Sequence, residues 1–279
     1  MSTFSRVLLA TDLSPSGDRL TDSLYSLCPD TDTEVVIAHV LEDDEDSDPL
    51  GSNYKKIHSR LEGLKNDIEQ AGYEEVSITT PKGKVEEVID EVAEELDADL
   101  VMAASHTKNF LERTFMGSTT FELAKATTVP ILIAKDDKDN PSRDLLELVM
   151  IPTDFSKKSL ESLNIIRSMR EYVGKVLFVH VIESRKNFRE KYNSAKMFLK
   201  ELVDEMKIFG IEADFRTARG AASKKIVSIS EKEHVTLIMM AKTGTEMDNG
   251  LDLGSTSENV VQNAACAVML VPAEDNDDD

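Results

Sequence analysis

Residues 241–256, with the sequence AKTGTEMDNGLDLGST, indicate how the whole chain is organised. They follow an apolar run at residues 236–240 and end in Gly254 and Ser255, just before residues with helical periodicity. A strand that enters a helix through a glycine-bearing loop leaves backbone N–H groups at the helix N-terminus, where an anion can bind. The stretch therefore predicts the outline of a phosphate site, although a serine that only caps the helix gives the same Gly-Ser signature.

The same outline occurs once more, earlier in the chain. Residues 99–103 are an apolar run, and the loop after them ends in Gly117 and Ser118. Three further signatures recur in the same order and at nearly the same separation. They are TDLS at 11–14 with TDFS at 153–156, His-Val at 39 with His-Val at 180, and Gly83 with Gly220. The chain is therefore predicted to be a duplication.

Each half alternates apolar runs with amphipathic segments. Residues 34–41, EVVIAHVL, are nearly all apolar, which is typical of a strand buried on both faces of a parallel sheet. Residues 52–71 carry isoleucine and leucine three and four positions apart, which predicts an amphipathic helix. This alternation predicts an α/β protein with two tandem, doubly wound, Rossmann-like sheets of five parallel strands and right-handed crossovers.

Domain boundaries follow from composition. The polar segment KDDKDNPSR at 135–143 contains a proline and is the natural linker. We therefore predict one domain at 1–138 and a second at 144–273. The acidic residues 274–279 are predicted to be a disordered tail.

Charge and hydropathy exclude several partner classes. The 279 residues carry a formal net charge of -21, so nucleic acid and anionic membranes would be repelled. No apolar run approaches the roughly 18 to 20 residues of a membrane helix, and the N-terminus lacks a signal-peptide pattern, which predicts a cytoplasmic protein. Cys28 and Cys266 show no metal-ligand spacing and are interpreted as small hydrophobic residues.

These signatures resemble the universal stress protein family, specifically its tandem two-domain members, over about residues 4–272. The resemblance rests on Thr-Asp-x-Ser, His-Val, the glycine before the third helix, and a GxxG, nine-residue, G-[ST] fingerprint. It implies the strand order 3-2-1-4-5 in each domain. It also implies pairing of the domains through their fifth strands as an intrachain, pseudo-two-fold pair, while a homodimer of tandems stays open. Some members of the family bind ATP and others have lost the fingerprint.

The resemblance also implies ligand contacts. Adenine contacts fall on Asp12 and Val40 in the first repeat and on Asp154 and Val181 in the second. The ribose position of the second repeat falls on Ala241. The ribose position of the first repeat falls on Ala104. The phosphate positions are Ala103, Thr107, Gly117, Ser118 and Thr119 in the first repeat, and Met240, Gly244, Gly254, Ser255 and Thr256 in the second.

The two repeats differ in shape and in charge. Ala104 and Thr107 replace two of the three fingerprint glycines of the first repeat, whereas the second keeps Gly244 and Gly254. The first loop, KNFLERTFM, contains two basic residues, whereas the second, TEMDNGLDL, contains three acidic residues and no base. Each carboxylate near a phosphate costs about 1 to 4 kcal/mol at ~4 Å, which Mg²⁺ can partly offset. The second repeat is the better site by shape, with ATP or AMP as the expected ligand.

Two functions agree with these sequence features. We predict a stress-response protein that binds an adenine nucleotide and acts as a sensor or switch, at most a slow ATPase rather than a true enzyme. The alternative is a nucleotide-free interaction module that regulates an unidentified partner protein. No nucleophile with an adjacent base and no metal-ligand spacing is readable, so no catalytic or metal residue is assigned.

Overall fold

The computed structural model describes residues 3–14, 18–41, 51–104, 117–135, 144–184, 186–243 and 253–273. These residues form two compact units, the first reaching residue 135 and the second beginning at residue 144. We describe each unit separately.

The first unit is a parallel sheet with helical connections. Its elements are β1 (Arg6–Ala10), α1 (Asp18–Leu27), β2 (Glu34–Ala38), α2 (Ser52–Gln70), β3 (Val76–Thr79), α3 (Val85–Glu95), β4 (Leu100–Ala104), α4 (Ser118–Ala126) and β5 (Ile131–Ala134). The strands lie in the order β3-β2-β1-β4-β5, and every pairing is parallel.

The second unit repeats this plan. Its elements are β6 (Val149–Pro152), α5 (Lys157–Leu160), α6 (Ser162–Ser168), β7 (Lys175–Ile182), α7 (Phe188–Ile208), β8 (Glu212–Arg219), α8 (Ala222–Lys232), β9 (Leu237–Ala241), α9 (Ser255–Asn263) and β10 (Ala267–Val271). The strand order is β8-β7-β6-β9-β10, again with parallel pairings. The predicted fold class, two doubly wound α/β domains in tandem, is confirmed.

The near-continuous apolar runs have a direct structural cause. Every residue of β9 is buried, and so is every residue of β10. Val7, Leu8 and Leu9 at the centre of β1 have no exposed surface. Helices cover both faces of a doubly wound sheet, so the inner strands carry apolar side chains at successive positions rather than at alternate ones.

One helix differs from the sequence prediction. Periodicity predicts a single helix over residues 157–172, but the structure contains α5 and α6, which meet at Glu161. The backbone N–H of Glu161 donates to the Lys158 carbonyl, and Asn164 donates to the Glu161 carbonyl. Such three-residue spacing is a tight turn that interrupts the four-residue ladder. An apolar stripe at positions three and four apart does not distinguish the two arrangements.

Candidate functional site

A pocket of about 410 Å³ lies in the second unit, at the carboxyl ends of β6, β7 and β9. The sheet order reverses here, because the chain leaves β6 toward β7 on one side while β9 lies on the other. Open α/β sheets bind ligands at this switch point. The pocket is lined by Pro152, Thr153, Asp154, Ser156, Ser159, Val179, His180, Val181, Glu183, Ala222, Ile226, Met240, Ala241, Thr243, Gly254, Ser255, Thr256 and Ser257.

The turn after β6 places Asp154 in this lining. Thr153 N–H donates to the Val179 carbonyl at 2.9 Å, and Thr153 Oγ1 accepts from Phe155 N–H at 2.9 Å. Phe155 takes a positive φ of 67°, an uncommon conformation for a bulky residue that reverses the chain direction. Asp154 Oδ1 accepts from Ser156 N–H at 2.9 Å, which completes the turn.

The carboxylate of Asp154 is held in its ionised form. Partial burial opposes ionisation, but hydrogen bonds from Ser156 and Ser159 outweigh it and hold the pKa of Asp154 below its ordinary value. Ser156 Oγ donates to Asp154 Oδ1 and accepts from Ser159 N–H, so Ser156 also caps α5. Asp154 is therefore a turn residue with an ionised carboxylate at the pocket wall, and Ser156 supplies the cap of α5.

His180 is oriented from both sides. Its Nδ1 lies 2.8 Å from the Thr153 carbonyl oxygen, and its ring stacks on Phe155 with centroids 4.5 Å apart. The ring of Phe155 also packs against that of Phe198 in α7, with the two ring centroids 5.3 Å apart. His180 is therefore a hydrogen-bonded, half-buried histidine whose ring lines the pocket.

The N-terminus of α9 forms the opposite wall. Gly254 occupies the N-cap position with extended backbone and makes no side-chain cap, and Ser255 is the first helical residue. Ser255 therefore does not cap the helix, contrary to the alternative explanation of the Gly-Ser pair as a simple helix cap. Ser257 Oγ donates to the Ala241 carbonyl at 2.9 Å, which ties the helix start to the end of β9. Ser255 and Thr256, whose N–H groups have no intrahelical acceptor because they begin the helix, belong to the pocket lining.

A second helix N-terminus also reaches the pocket, that of α8. Glu183, two residues beyond Val181, accepts a hydrogen bond from Ala222 N–H at 2.8 Å. Gly220 precedes this helix with φ +138°. Sequence reasoning did not single out Glu183 or Ala222. The available signal was the carboxylate just past the predicted adenine position.

The structure gathers seven of the eight residues predicted for the second repeat around this one pocket. They are Asp154, Val181, Met240, Ala241, Gly254, Ser255 and Thr256. The eighth, Gly244, lies outside the described residues. Their role as ligand contacts stays a prediction.

The residues predicted for the first repeat lie at the equivalent sheet edge of the first unit. Asp12 is exposed and accepts from Ser14 N–H at 3.0 Å. Val40 and Ala103 are buried at the ends of adjoining chain segments, and Gly117 is the N-cap of α4. Ser118 and Thr119 are exposed in the first turn of that helix.

The backbone frame of the first unit matches that of the second. His39 Nδ1 lies 2.8 Å from the Thr11 carbonyl oxygen, as His180 does from that of Thr153. Thr120 Oγ1 donates to the Ala104 carbonyl at 3.1 Å, as Ser257 does to that of Ala241. The duplication thus extends to individual hydrogen bonds. Thr107, which replaces a fingerprint glycine, falls outside the described residues.

Charge in the pocket is one-sided. Among the described lining residues, Asp154 and Glu183 are acidic, and none is a lysine or arginine. The described parts of the chain contain no group of three or more histidine, cysteine, aspartate or glutamate side chains placed to hold a metal ion. In the same residues, no helix is both long enough and apolar enough to span a membrane.

Comparisons with known proteins agree with this architecture. A family model described as the universal stress protein family matches residues 3–135 and again residues 147–272. A universal stress protein of Methanocaldococcus jannaschii is 26% identical over 144 residues, which cover 46% of this chain and 83% of that protein.

Solved structures show the same fold over the full length. The crystal structure of a universal stress protein from Archaeoglobus fulgidus DSM 4304 matches with a TM-score of 0.76 and 22% identity, covering 99% of this chain and 98% of that one. A protein of unknown function from Pseudomonas aeruginosa PAO1 matches with a TM-score of 0.69 and 14% identity, covering 96% and 92%. Because the family model matches both halves, the chain belongs to the universal stress protein family, as a member with two domains in tandem.

Proposed function

We propose that this protein binds an adenine nucleotide in its second unit and acts as a sensor or switch in a stress response. The observation that supports this most directly is the pocket at the sheet reversal, whose wall includes the uncapped N-terminus of α9. A phosphate at that terminus would accept hydrogen bonds from the N–H groups of Gly254, Ser255 or Thr256 and interact favourably with the helix dipole.

The adenine end of the ligand would lie on the β6 and β7 side. Asp154 offers an ionised carboxylate there, which can accept a hydrogen bond from the exocyclic amino group. Val179, Val181 and Ile226 supply apolar contacts for a planar ring. Ligand sites commonly combine such apolar walls with a few fixed polar groups. We assign no reaction to this pocket and regard the protein as a binding protein.

The experiment begins with the freshly purified protein. Denaturing it and analysing the released small molecules by mass spectrometry should recover an adenine nucleotide, at up to about one per chain if the second unit alone is occupied. The protein freed of ligand is then titrated calorimetrically with AMP and with adenosine. Tighter binding of AMP would support the phosphate position at α9.

The duplication supplies a matched control. Asp154→Asn keeps an oxygen that can accept from Ser156 but removes the charge, and it should weaken AMP binding about tenfold or more, as expected for a lost charge-assisted hydrogen bond. Asp12→Asn makes the same change in the first unit and should leave the affinity unchanged. Equal effects of the two variants would contradict a site confined to the second unit.

The alternative function is a nucleotide-free module that regulates a protein partner. Its support is the acidic lining, which is unfavourable for an anion. A protein that is purified without nucleotide and binds neither AMP nor adenosine would favour this alternative, and the fold assignment would stand.

A further inference from the structure

We propose that the pocket prefers an adenine nucleoside monophosphate to the triphosphate, and that Glu183 is the residue that sets this preference. The inference rests on the proposed function, since it concerns the same pocket. It follows from how the pocket distributes its anion-binding groups.

Three helix N-termini reach the described pocket lining, those of α5, α8 and α9, and side chains of the protein bond to two of them. Ser156 caps α5, and Glu183 accepts from the start of α8. The N-terminus of α8 reaches the lining at Ala222, whose N–H donates to the Glu183 carboxylate at 2.8 Å. The N-terminus of α9 carries no side-chain cap at Gly254. A helix N-terminus is equivalent to about half a positive charge, so Glu183 more than neutralises the one at α8. Among the residues that the structure describes, the terminus at Ser255 and Thr256 is therefore the one left for phosphate.

The described lining contains no lysine or arginine that could bind the further phosphates of a triphosphate. Lys242 is adjacent in sequence to the lining residue Thr243, but its side chain is 1% exposed and it is not part of the lining. Beyond the first phosphate, the described lining therefore offers a ligand carboxylates rather than cations.

The distances inside the pocket are short enough for these charges to act. A cavity of about 410 Å³ spans on the order of 10 Å, which is comparable with the Debye length at physiological salt. Asp154 and Glu183 therefore lie within about one Debye length of a phosphate in the pocket, and salt screens their repulsion only in part. A phosphate monoester carries about −1.5 to −2 charge at pH 7, and each additional phosphate adds to the repulsion. A divalent cation bound to the triphosphate would offset part of it.

The first test compares AMP and ATP by calorimetry, each in EDTA and in Mg²⁺, with the ligand-free full-length protein. In EDTA, ATP should bind about tenfold or more weakly than AMP, given the added like charges. Mg²⁺ should strengthen ATP binding and leave AMP binding nearly unchanged. ATP that binds as tightly as AMP in EDTA would overturn the inference while the proposed function survived. Failure of both ligands to bind would remove the proposed function and the inference together.

The second test removes the charge of Glu183. Glu183→Gln retains an amide oxygen that can accept from Ala222 N–H, so the start of α8 should be preserved. The affinity ratio of AMP to ATP in EDTA should fall about threefold or more. Glu201→Gln makes the same change of net charge on the exposed surface of α7, away from the pocket lining, and should not alter the ratio. A ratio that is unchanged in Glu183→Gln, or changed equally in both variants, would overturn the role of Glu183.

Discussion

Asp154 shows how a short motif fixes one ionised group. The turn that contains it is built from the side chains of Thr153, Asp154 and Ser156, each of which bonds to backbone within two or three residues. Such local bonds depend on the sequence of the motif itself. The same turn therefore appears after β1, where Leu13 N–H donates to Thr11 Oγ1 at 3.0 Å.

The lowered pKa of Asp154 predicts a pH-dependent contribution to stability. The folded pKa lies below the ordinary value, so the ionised carboxylate stabilises the folded state above about pH 4, and this stabilisation is lost as pH falls through the folded pKa. We expect Asp154→Asn to lower the free energy of unfolding at neutral pH, with the difference from the parent protein shrinking in acid. Urea unfolding between about pH 3 and pH 7 measures this.

A control variant isolates the turn from general charge effects in that series. Asp204→Asn removes a carboxylate from the exposed surface of α7. A deficit of Asp154→Asn that is independent of pH, or that is matched by Asp204→Asn at every pH, would show that the turn does not depend on the ionised carboxylate.

At the scale of elements, the two units are matched at the entry to their third crossover helix. Gly83 precedes α3 with φ +139°, and Gly220 precedes α8 with φ +138°. Side chains rarely adopt such positive φ values, and the cost is about 1 to 3 kcal/mol. The surroundings differ, because a Cβ at Gly83 would lie 2.6 Å from Val88 Cγ2, whereas one at Gly220 would lie 3.2 Å from Lys225 Cε.

The glycine pair therefore supports a comparison between units. Both Gly83→Ala and Gly220→Ala should destabilise through the backbone, but Gly83→Ala should destabilise more. Val88 is β-branched and stiff, so it cannot move aside as the end of a lysine side chain can. Denaturant unfolding followed by circular dichroism provides both free energies. A larger loss for Gly220→Ala would contradict the packing described here.

At the scale of the whole molecule, duplication has preserved the frame while the charges have diverged. The formal net charge of -21 belongs to the complete chain, and self-repulsion of this size destabilises a compact state. Salt screens repulsion between exposed charges. The carboxylates of Asp154 and Glu183 place part of this negative charge in the pocket wall of the second unit.

We expect the melting temperature to rise with ionic strength. Raising sodium chloride from about 20 mM to 500 mM shortens the Debye length several-fold and should stabilise the folded protein. Differential scanning calorimetry measures the shift, and potassium chloride at equal concentration should give the same rise because screening is not specific to the ion. A melting temperature that falls or stays constant would indicate that attractive ion pairs outweigh the net repulsion.

Much of the fold and most of the candidate site could be predicted from the sequence. The strand-helix alternation was readable because parallel strands buried on both faces are nearly all apolar. Asp154, Val181 and Gly254 were predicted to share one site through the resemblance to the universal stress protein family. The structure places them at one pocket because the carboxyl ends of parallel strands meet at one edge of the sheet. These features depend on local periodicity and on repeated motifs, which the sequence displays directly.

Other features depended on the tertiary structure, because they arise between residues far apart in the chain. Glu183 and Ala222 are 39 residues apart, and neither residue alone indicates that a carboxylate occupies the start of α8. The break at Glu161 and the placement of Gly254, rather than Ser255, at the N-cap of α9 are likewise invisible to periodicity. By itself the sequence determined the duplicated α/β fold and the edge of the sheet at which the candidate site lies. Only the tertiary structure decided that Glu183 occupies the start of α8, because this hydrogen bond depends on how the folded chain brings the end of β7 to that helix.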